Sequence, residues 1–152
     1  MTALTLDRHT IEKQGKVYAF PIAANTLCHA GGLAVVLPDG TARPAIADAN
    51  AAVCVPIGRF RRRYNNLTGA DVMIDVSVRS TCEVESGIFR WENDSAPNAV
   101  TTSLLHQQCY ALDDQTVTAA NSSGGHALGY AGIVMDVDAN GVWVATGLPT
   151  SL

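Results

Sequence analysis

Hydrophobic and polar residues alternate over much of the chain in short runs that turn residues separate. The clearest run is 71–79, in which Val72, Ile74, Val76 and Val78 occupy every second position. Period-two alternation places these four side chains on one face of a strand, because successive strand residues point to opposite sides. The pattern predicts a half-buried strand at 71–79.

Further short apolar runs predict strands on both sides of this one. They lie at 17–22, 33–37, 41–45, 53–57, 84–91, 109–112, 116–120, 131–137 and 142–146. One short helix of about two turns is predicted near 100–108, with Asn98 as its candidate N-cap. We expect residues 1–16, which are weakly patterned, to form an extended N-terminal arm that becomes ordered by packing on another surface. Residues 17–152 are predicted to form a single, mainly β domain, a compact barrel or sandwich built from short hairpins.

A faint internal repeat connects two of the predicted hairpins. Segments 34–45 and 109–120 align at a constant offset of 75 residues. The identical pairs are Leu37 and Leu112, Asp39 and Asp114, Thr41 and Thr116, and Ala45 and Ala120. Duplication of a hairpin and independent use of the same turn chemistry both explain the match.

Composition narrows the classes of function. Charged residues make up only 16% of the chain and hydrophobic residues 47%, with a formal charge of -4. So few charges predict that part of the surface is covered by partners, as in an oligomer or an assembly. The negative charge disfavours nucleic-acid binding. No signal segment and no run of about 18 apolar residues is present, so we expect a soluble protein with no membrane partner, made in a cytoplasm.

The cysteines and histidines do not form a cofactor or metal motif. Cys28, Cys54, Cys82 and Cys109 are widely spaced, without a C-x-x-C pair or a histidine at ligand spacing. Buried free thiols are therefore expected rather than a zinc or redox site. We predict no catalytic residues and no cofactor, because no nucleophile, phosphate-binding or metalloprotease motif occurs.

One acidic segment matches the opening of a calcium-binding loop. The segment is Asp136-x-Asp138-x-Asn140-Gly141, but Gly147 stands where the bidentate glutamate would be. Strand-like valines flank it instead of helices. Because Asn-Gly is also the strongest turn signal of a β-hairpin, a plain hairpin turn is favoured over a metal site.

An arginine-rich run is the densest group of charges in the chain. It contains Arg59, Arg61, Arg62 and Arg63, interleaved with Phe60 and Tyr64. One reading is a basic loop that docks on an acidic protein surface or, less favoured, on nucleic acid, with the aromatic rings packing or stacking against the partner. The other is a solvated strand face or loop.

The order of motifs resembles that of small head proteins of tailed bacteriophages and prophages, which are thought to include capsid decoration (cement) proteins. The motifs are F-P-I-A-A at 20–24, A-G-G-L at 30–33, T-G-A-D at 68–71, G-I-F-R-W at 87–91, C-Y-A-L-D-D-Q-T-V at 109–117 and A-G-I-V-M-D-V-D-A-N-G-V-W-V at 131–144. The resemblance covers nearly the whole chain, and the last two motifs are the most specific. The basic segment 59–64 departs from the family pattern.

The resemblance implies a virion structural protein that is not an enzyme. Such a protein would bind the outside of the capsid at junctions of the major capsid protein, as a homotrimer, and strengthen the shell. A head-completion or tail component is the alternative. Candidate residues for contact with the capsid or between subunits are Leu4, Leu6, Ile11, Arg59, Arg61, Arg62, Arg63 and Tyr64. The implied location is the capsid exterior, after synthesis in the bacterial host cytoplasm.

Overall fold

The structure, a computed structural model, describes residues 17–67 and 81–147. These residues form the strands β1 (Val17–Pro21), β2 (Thr26–Cys28), β3 (Leu33–Val36), β4 (Ala42–Pro44), β5 (Val55–Phe60), β6 (Tyr64–Asn66), β7 (Thr81–Glu85), β8 (Gly87–Asn93), β9 (Gln108–Ala111), β10 (Thr116–Thr118), β11 (Ser122–Ser123), β12 (His126–Ala127), β13 (Tyr130–Asp138) and β14 (Gly141–Thr146). The described helical segments are the 3-10 turns Ala51–Val53 and Thr102–Leu104. The mainly β fold class is confirmed. The predicted arm at 1–16 and the predicted strand at 71–79 lie outside the described residues.

Ten of these strands form two five-stranded units with the same strand order. The first unit has the order β1-β7-β5-β3-β4, and the second has β8-β14-β13-β9-β10. The second unit is a closed barrel, because Val117 on β10 also pairs in parallel with Asn93 on β8. In the first unit a parallel bridge between Ile22, which follows β1, and Ala42 on β4 joins the first and last strands of the order. We call the first unit, a five-stranded sheet whose ends meet only at this bridge, the first barrel, and we call the closed unit the second barrel.

The correspondence between the barrels extends to single residues. Gly58 on β5 and Gly132 on β13 lie beside matching register shifts, with φ angles of 142° and 144°. A Cβ atom added at Gly58 would lie 2.2 Å from the carbonyl oxygen of Glu85. A Cβ atom added at Gly132 would lie 2.1 Å from the carbonyl oxygen of Ala145. Both positions require glycine, because the backbone adopts a positive φ and a neighbouring strand approaches closely.

The weak sequence repeat falls on equivalent hairpins, β3–β4 and β9–β10. The equivalent strand pairs, 75 residues apart, are Val36–Ala42 and Ala111–Val117. Both turns are closed by the same backbone hydrogen bond, from the Leu37 amide to the Thr41 carbonyl and from the Leu112 amide to the Thr116 carbonyl, each 2.9 Å long. Their side-chain contacts differ: Asp39 accepts hydrogen bonds from Thr41, whereas Asp113 accepts them from the backbone of Gln115 and Thr116. The repeat therefore lies at equivalent positions of two units with the same strand order.

Each barrel encloses a hydrophobic core. The core of the first barrel consists of Ile22, Cys28, Ala34, Ala42, Phe60, Tyr64, Cys82 and Val84. The larger core of the second barrel includes Trp91, Val117, Val134, Val142 and Val144. Leu33 and Val35 of the first barrel belong to this second cluster. They point away from their own barrel, because strand residues alternate in direction, and so pack the two barrels together.

Two sequence predictions about local structure are wrong. The predicted strand at 84–91 is interrupted at the buried residue Ser86, so its halves, β7 and β8, belong to different barrels. The predicted helix at 100–108 is one 3-10 turn that follows Thr101, not Asn98. It ends early because Leu105 is extended and His106 has a φ of 62°, which allows the His106 amide to donate to the carbonyl of Val134 at 2.7 Å.

Candidate interaction surface

The arginine-rich run lies at the end of β5, on the outside of the first barrel. Arg59 and Arg61 form cross-strand ion pairs with β7, at 3.2 Å to Glu85 and 3.0 Å to Glu83. Between a third and a half of each of these side chains is exposed, so the two pairs are screened by water and contribute about 0–1 kcal/mol each. Arg62 and Arg63 are also exposed. The basic part of the run is therefore a surface feature.

The aromatic residues of the run lie in the core, which corrects the expectation that Tyr64 contacts a partner. Phe60 and Tyr64 are 1% and 4% exposed and form an edge-to-face pair with ring centroids 6.3 Å apart. The Tyr64 hydroxyl accepts a hydrogen bond from the Glu83 amide at 3.0 Å. Because residues of a strand alternate between two faces, Phe60 points inward where Arg59 and Arg61 point outward.

Aromatic side chains of the second barrel complete the surface around the arginines. The Arg59 guanidinium lies 4.4 Å from the ring centroid of Phe89, and that of Arg90 lies 5.9 Å from the ring of Trp143. The Trp143 indole donates to Asp138 at 3.0 Å, which fixes the orientation of the ring. Cation–π contacts of this kind hold a guanidinium plane in place while its N–H groups stay available.

These residues line an open groove where the two barrels meet. Its volume is about 520 Å³, and Gly31 and Arg59 of the first barrel form one side. Ile88, Phe89, Arg90 and Trp143 of the second barrel form the other. Ile88 is 48% exposed, so the groove offers apolar surface beside its two arginines. A surface of this composition is suited to binding an acidic partner.

Sequence reasoning found Arg59 and missed the groove. Arg90 and Trp143 are partners across β8 and β14, whose pairing joins distant parts of the chain. The available signal was the motif G-I-F-R-W, in which a charged side chain interrupts an apolar strand. The other candidate contact residues, Leu4, Leu6 and Ile11, lie outside the described residues.

The predicted hairpin turn at 138–141 and the predicted buried free thiols are confirmed. Residues 138–141 form the hairpin turn between β13 and β14, and the Asp138 carboxylate accepts from the amides of Asn140 and Gly141. The indole hydrogen bond from Trp143, followed by these amides, lowers the pKa of Asp138. All four cysteines are buried and free. Burial raises the pKa of Cys28 and of Cys109 to about 12.

Two other kinds of feature are absent from residues 17–67 and 81–147. Within these ranges, no group of three or more histidine, cysteine, aspartate or glutamate side chains is placed to hold a metal ion. No helix within them has the length and apolarity needed to cross a bilayer.

No protein-family model, curated protein or solved structure matches the chain. The residues of the chain itself and the groove between its barrels are therefore the features that bear on its function.

Proposed function

We propose that this chain is a bacteriophage capsid decoration (cement) protein. It binds the outer surface of the head, contacts the major capsid protein, assembles as a homotrimer and stabilises the shell. The function is one of binding, without a catalytic step or a cofactor. The motif order discussed above supports this assignment.

The observation that carries the proposal is the arginine and aromatic groove that spans both barrels. Its arginines come from β5 and β8, one in each barrel, so the groove depends on how the two barrels are packed. Ordered arginines beside exposed apolar surface are common in the centres of protein interfaces. A rigid β body presents such a surface without a large entropy cost on binding.

Binding of one trimer to several equivalent sites on the capsid explains how weak individual contacts can give durable attachment. Each exposed arginine contributes little free energy by itself, because water screens it. A trimer that binds three equivalent sites on one shell converts the later contacts into intramolecular ones, which raises the overall affinity by a factor of about 100 or more. Durable attachment then follows from weak individual contacts.

The direct test mixes the purified protein with expanded capsids that lack it. We expect the wild-type protein to sediment with the capsids and to raise the temperature at which they release DNA or lose their shape. The double variant Arg59→Glu/Arg61→Glu should bind at least tenfold more weakly. Thr102→Glu, which adds negative charge to an exposed turn outside the groove, should bind as the wild type does.

Two results would contradict this proposal. The first is a wild-type protein that neither binds capsids nor stabilises them. The second is electron microscopy of the virion that finds the chain only at the head–tail junction or in the tail, which would favour the other class of virion component.

A further inference from the structure

Among the residues that the structure describes, strand β8 has an unpaired edge along the groove. Residues 87–91 pair with β14 on one side, whereas β10 pairs with β8 only at Glu92 and Asn93. The Glu92 amide donates to the carbonyl of Gln115 at 2.9 Å, on the β10 side. Because alternate residues of a strand direct their backbone groups to the same side, the amides of Ile88 and Arg90 also point to that side.

An open strand edge binds an extended peptide by adding it as a further strand. Backbone hydrogen bonds then supply affinity, and the side chains around the edge supply specificity. In β8 this edge borders the groove, where Arg59 and Arg90 provide positive charge and Ile88 provides apolar surface. Both the backbone and the side chains of the groove are thus available to one extended ligand.

We propose that the groove binds an extended, carboxylate-bearing segment of a partner protein, added as a strand along β8. This inference rests on the proposed function, in which the partner is the capsid shell protein. Carboxylates at alternate positions of the segment lie on one face, about 7 Å apart, and reach the arginines together. Apolar residues between them contact the exposed side chain of Ile88.

The charges around the groove favour a peptide over a nucleic acid. Arg90 forms no ion pair with any residue that the structure describes, so a guanidinium is available for a ligand. Glu85 borders one extension of the groove and Glu92 another. The phosphates of a nucleic acid in the groove would lie near these carboxylates and be repelled by them. A peptide avoids this repulsion when its carboxylates lie only opposite the arginines.

The first barrel supplies an internal comparison. Its strand β1 corresponds to β8 and, among the described residues, pairs along its length with β7 alone. Ala19 on β1 corresponds to Arg90 on β8. The partner of Ala19 on β7 is Glu83, which corresponds to Trp143, the partner of Arg90 on β14. Although Tyr18 on β1 is exposed, this edge lacks counterparts of the Arg90 guanidinium and the Trp143 indole, so we expect the acidic segment to select β8.

The experiment uses the full chain and a fluorescein-labelled peptide of alternating glutamate and valine. Fluorescence anisotropy should show saturable binding to the wild type and at least tenfold weaker binding to Arg90→Glu. Arg62→Glu is the matched control, because Arg62 is exposed but does not line the groove. It should bind within twofold of the wild type. Urea midpoints measured for each variant establish that the fold is intact.

Two further probes test the binding mode. Gly31→Asn places a side chain in the groove, where nothing lies within 4 Å of a Cβ atom. The position tolerates it because the equivalent residue of the second barrel, His106, has a similar positive φ. This variant should lose binding. A glutamate–valine peptide with N-methyl groups on alternate amides should also fail to bind, because the methylated amides cannot donate hydrogen bonds to the backbone of β8.

Three results would overturn the inference: no binding of the glutamate–valine peptide, equal binding of a lysine–valine peptide, or tighter binding of a ten-nucleotide oligothymidylate. Equal binding by Arg90→Glu and Arg62→Glu would also overturn it. Wild-type protein that binds the peptide but not capsids contradicts the proposed function alone. Protein that binds capsids but not the peptide contradicts only this inference.

Discussion

Substitution of Gly132 by alanine tests how closely β13 and β14 approach. The added Cβ atom would lie 2.1 Å from the carbonyl oxygen of Ala145, and the residue has a φ of 144°. Gly40 is the matched control, because it also has a positive φ, 87°, but a Cβ atom there meets nothing within 4 Å. The pair separates the cost of steric contact from that of backbone strain.

The structure sets the size of the expected effect. Holding a non-glycine residue at such a φ costs about 1–3 kcal/mol. Relieving the contact moves β14 away from β13 and weakens one or two ladder hydrogen bonds, at about 1 kcal/mol each. Gly132→Ala should therefore lose about 2–5 kcal/mol of unfolding free energy. Gly40→Ala should lose about 1 kcal/mol, because only the left-handed backbone opposes it.

Urea unfolding monitored by tryptophan fluorescence measures this difference. Both tryptophans, Trp91 and Trp143, are in the second barrel, so their emission reports the unit that is changed. With a urea dependence of about 2 kcal/mol per M, the midpoint for Gly132→Ala should fall by about 1–2.5 M. Gly58→Ala, at the equivalent position, should cause a similar loss by circular dichroism. Equal midpoints for Gly132→Ala and Gly40→Ala would refute the reasoning.

Three other predictions follow from buried and paired groups. Phe60→Ala should lose about 3–5 kcal/mol in the same urea assay, because the ring is 1% exposed, whereas Arg62→Ala should change stability by less than about 0.5 kcal/mol. Hydrogen bonds from Arg43 lower the pKa of Asp48 to about 2, so its stabilising effect is complete above pH ~4 and is lost as the pH falls toward 2. The stability difference between wild type and Asp48→Asn should shrink over that interval. A thiol reagent at pH 8 should react with all four cysteines only after unfolding, because they are buried.

The sequence was sufficient for the hairpins because their signals are local. Alternation of apolar residues and turn residues such as Pro38, Asp39 and Gly40 indicated β3 and β4 without knowledge of the rest of the chain. The strand break at Ser86 was missed. The chain passes there from one barrel to the other without a turn, because the residues on both sides of Ser86 are in strands. A local pattern does not report which sheet a strand joins.

The groove could be predicted only in part, for a related reason. Arg59 was found because arginines cluster along the sequence, but its cation–π partner Phe89 is in the other barrel. Tyr64 was misplaced because an aromatic residue beside arginines suits a surface as well as a core. Its burial depends on β6 pairing with β2, a contact between distant segments. Pairing at this range needs the whole fold.

The two barrels differ most where β5 leads to β7 and β13 leads to β14. In the first barrel residues 61–80 make this connection, whereas Ala139 and Asn140 alone make it in the second. The architecture therefore accommodates a long insertion at this point. Foreign peptides inserted between Ala139 and Asn140 should leave the second barrel folded, so the duplication marks a place at which the protein can be engineered to display added sequences.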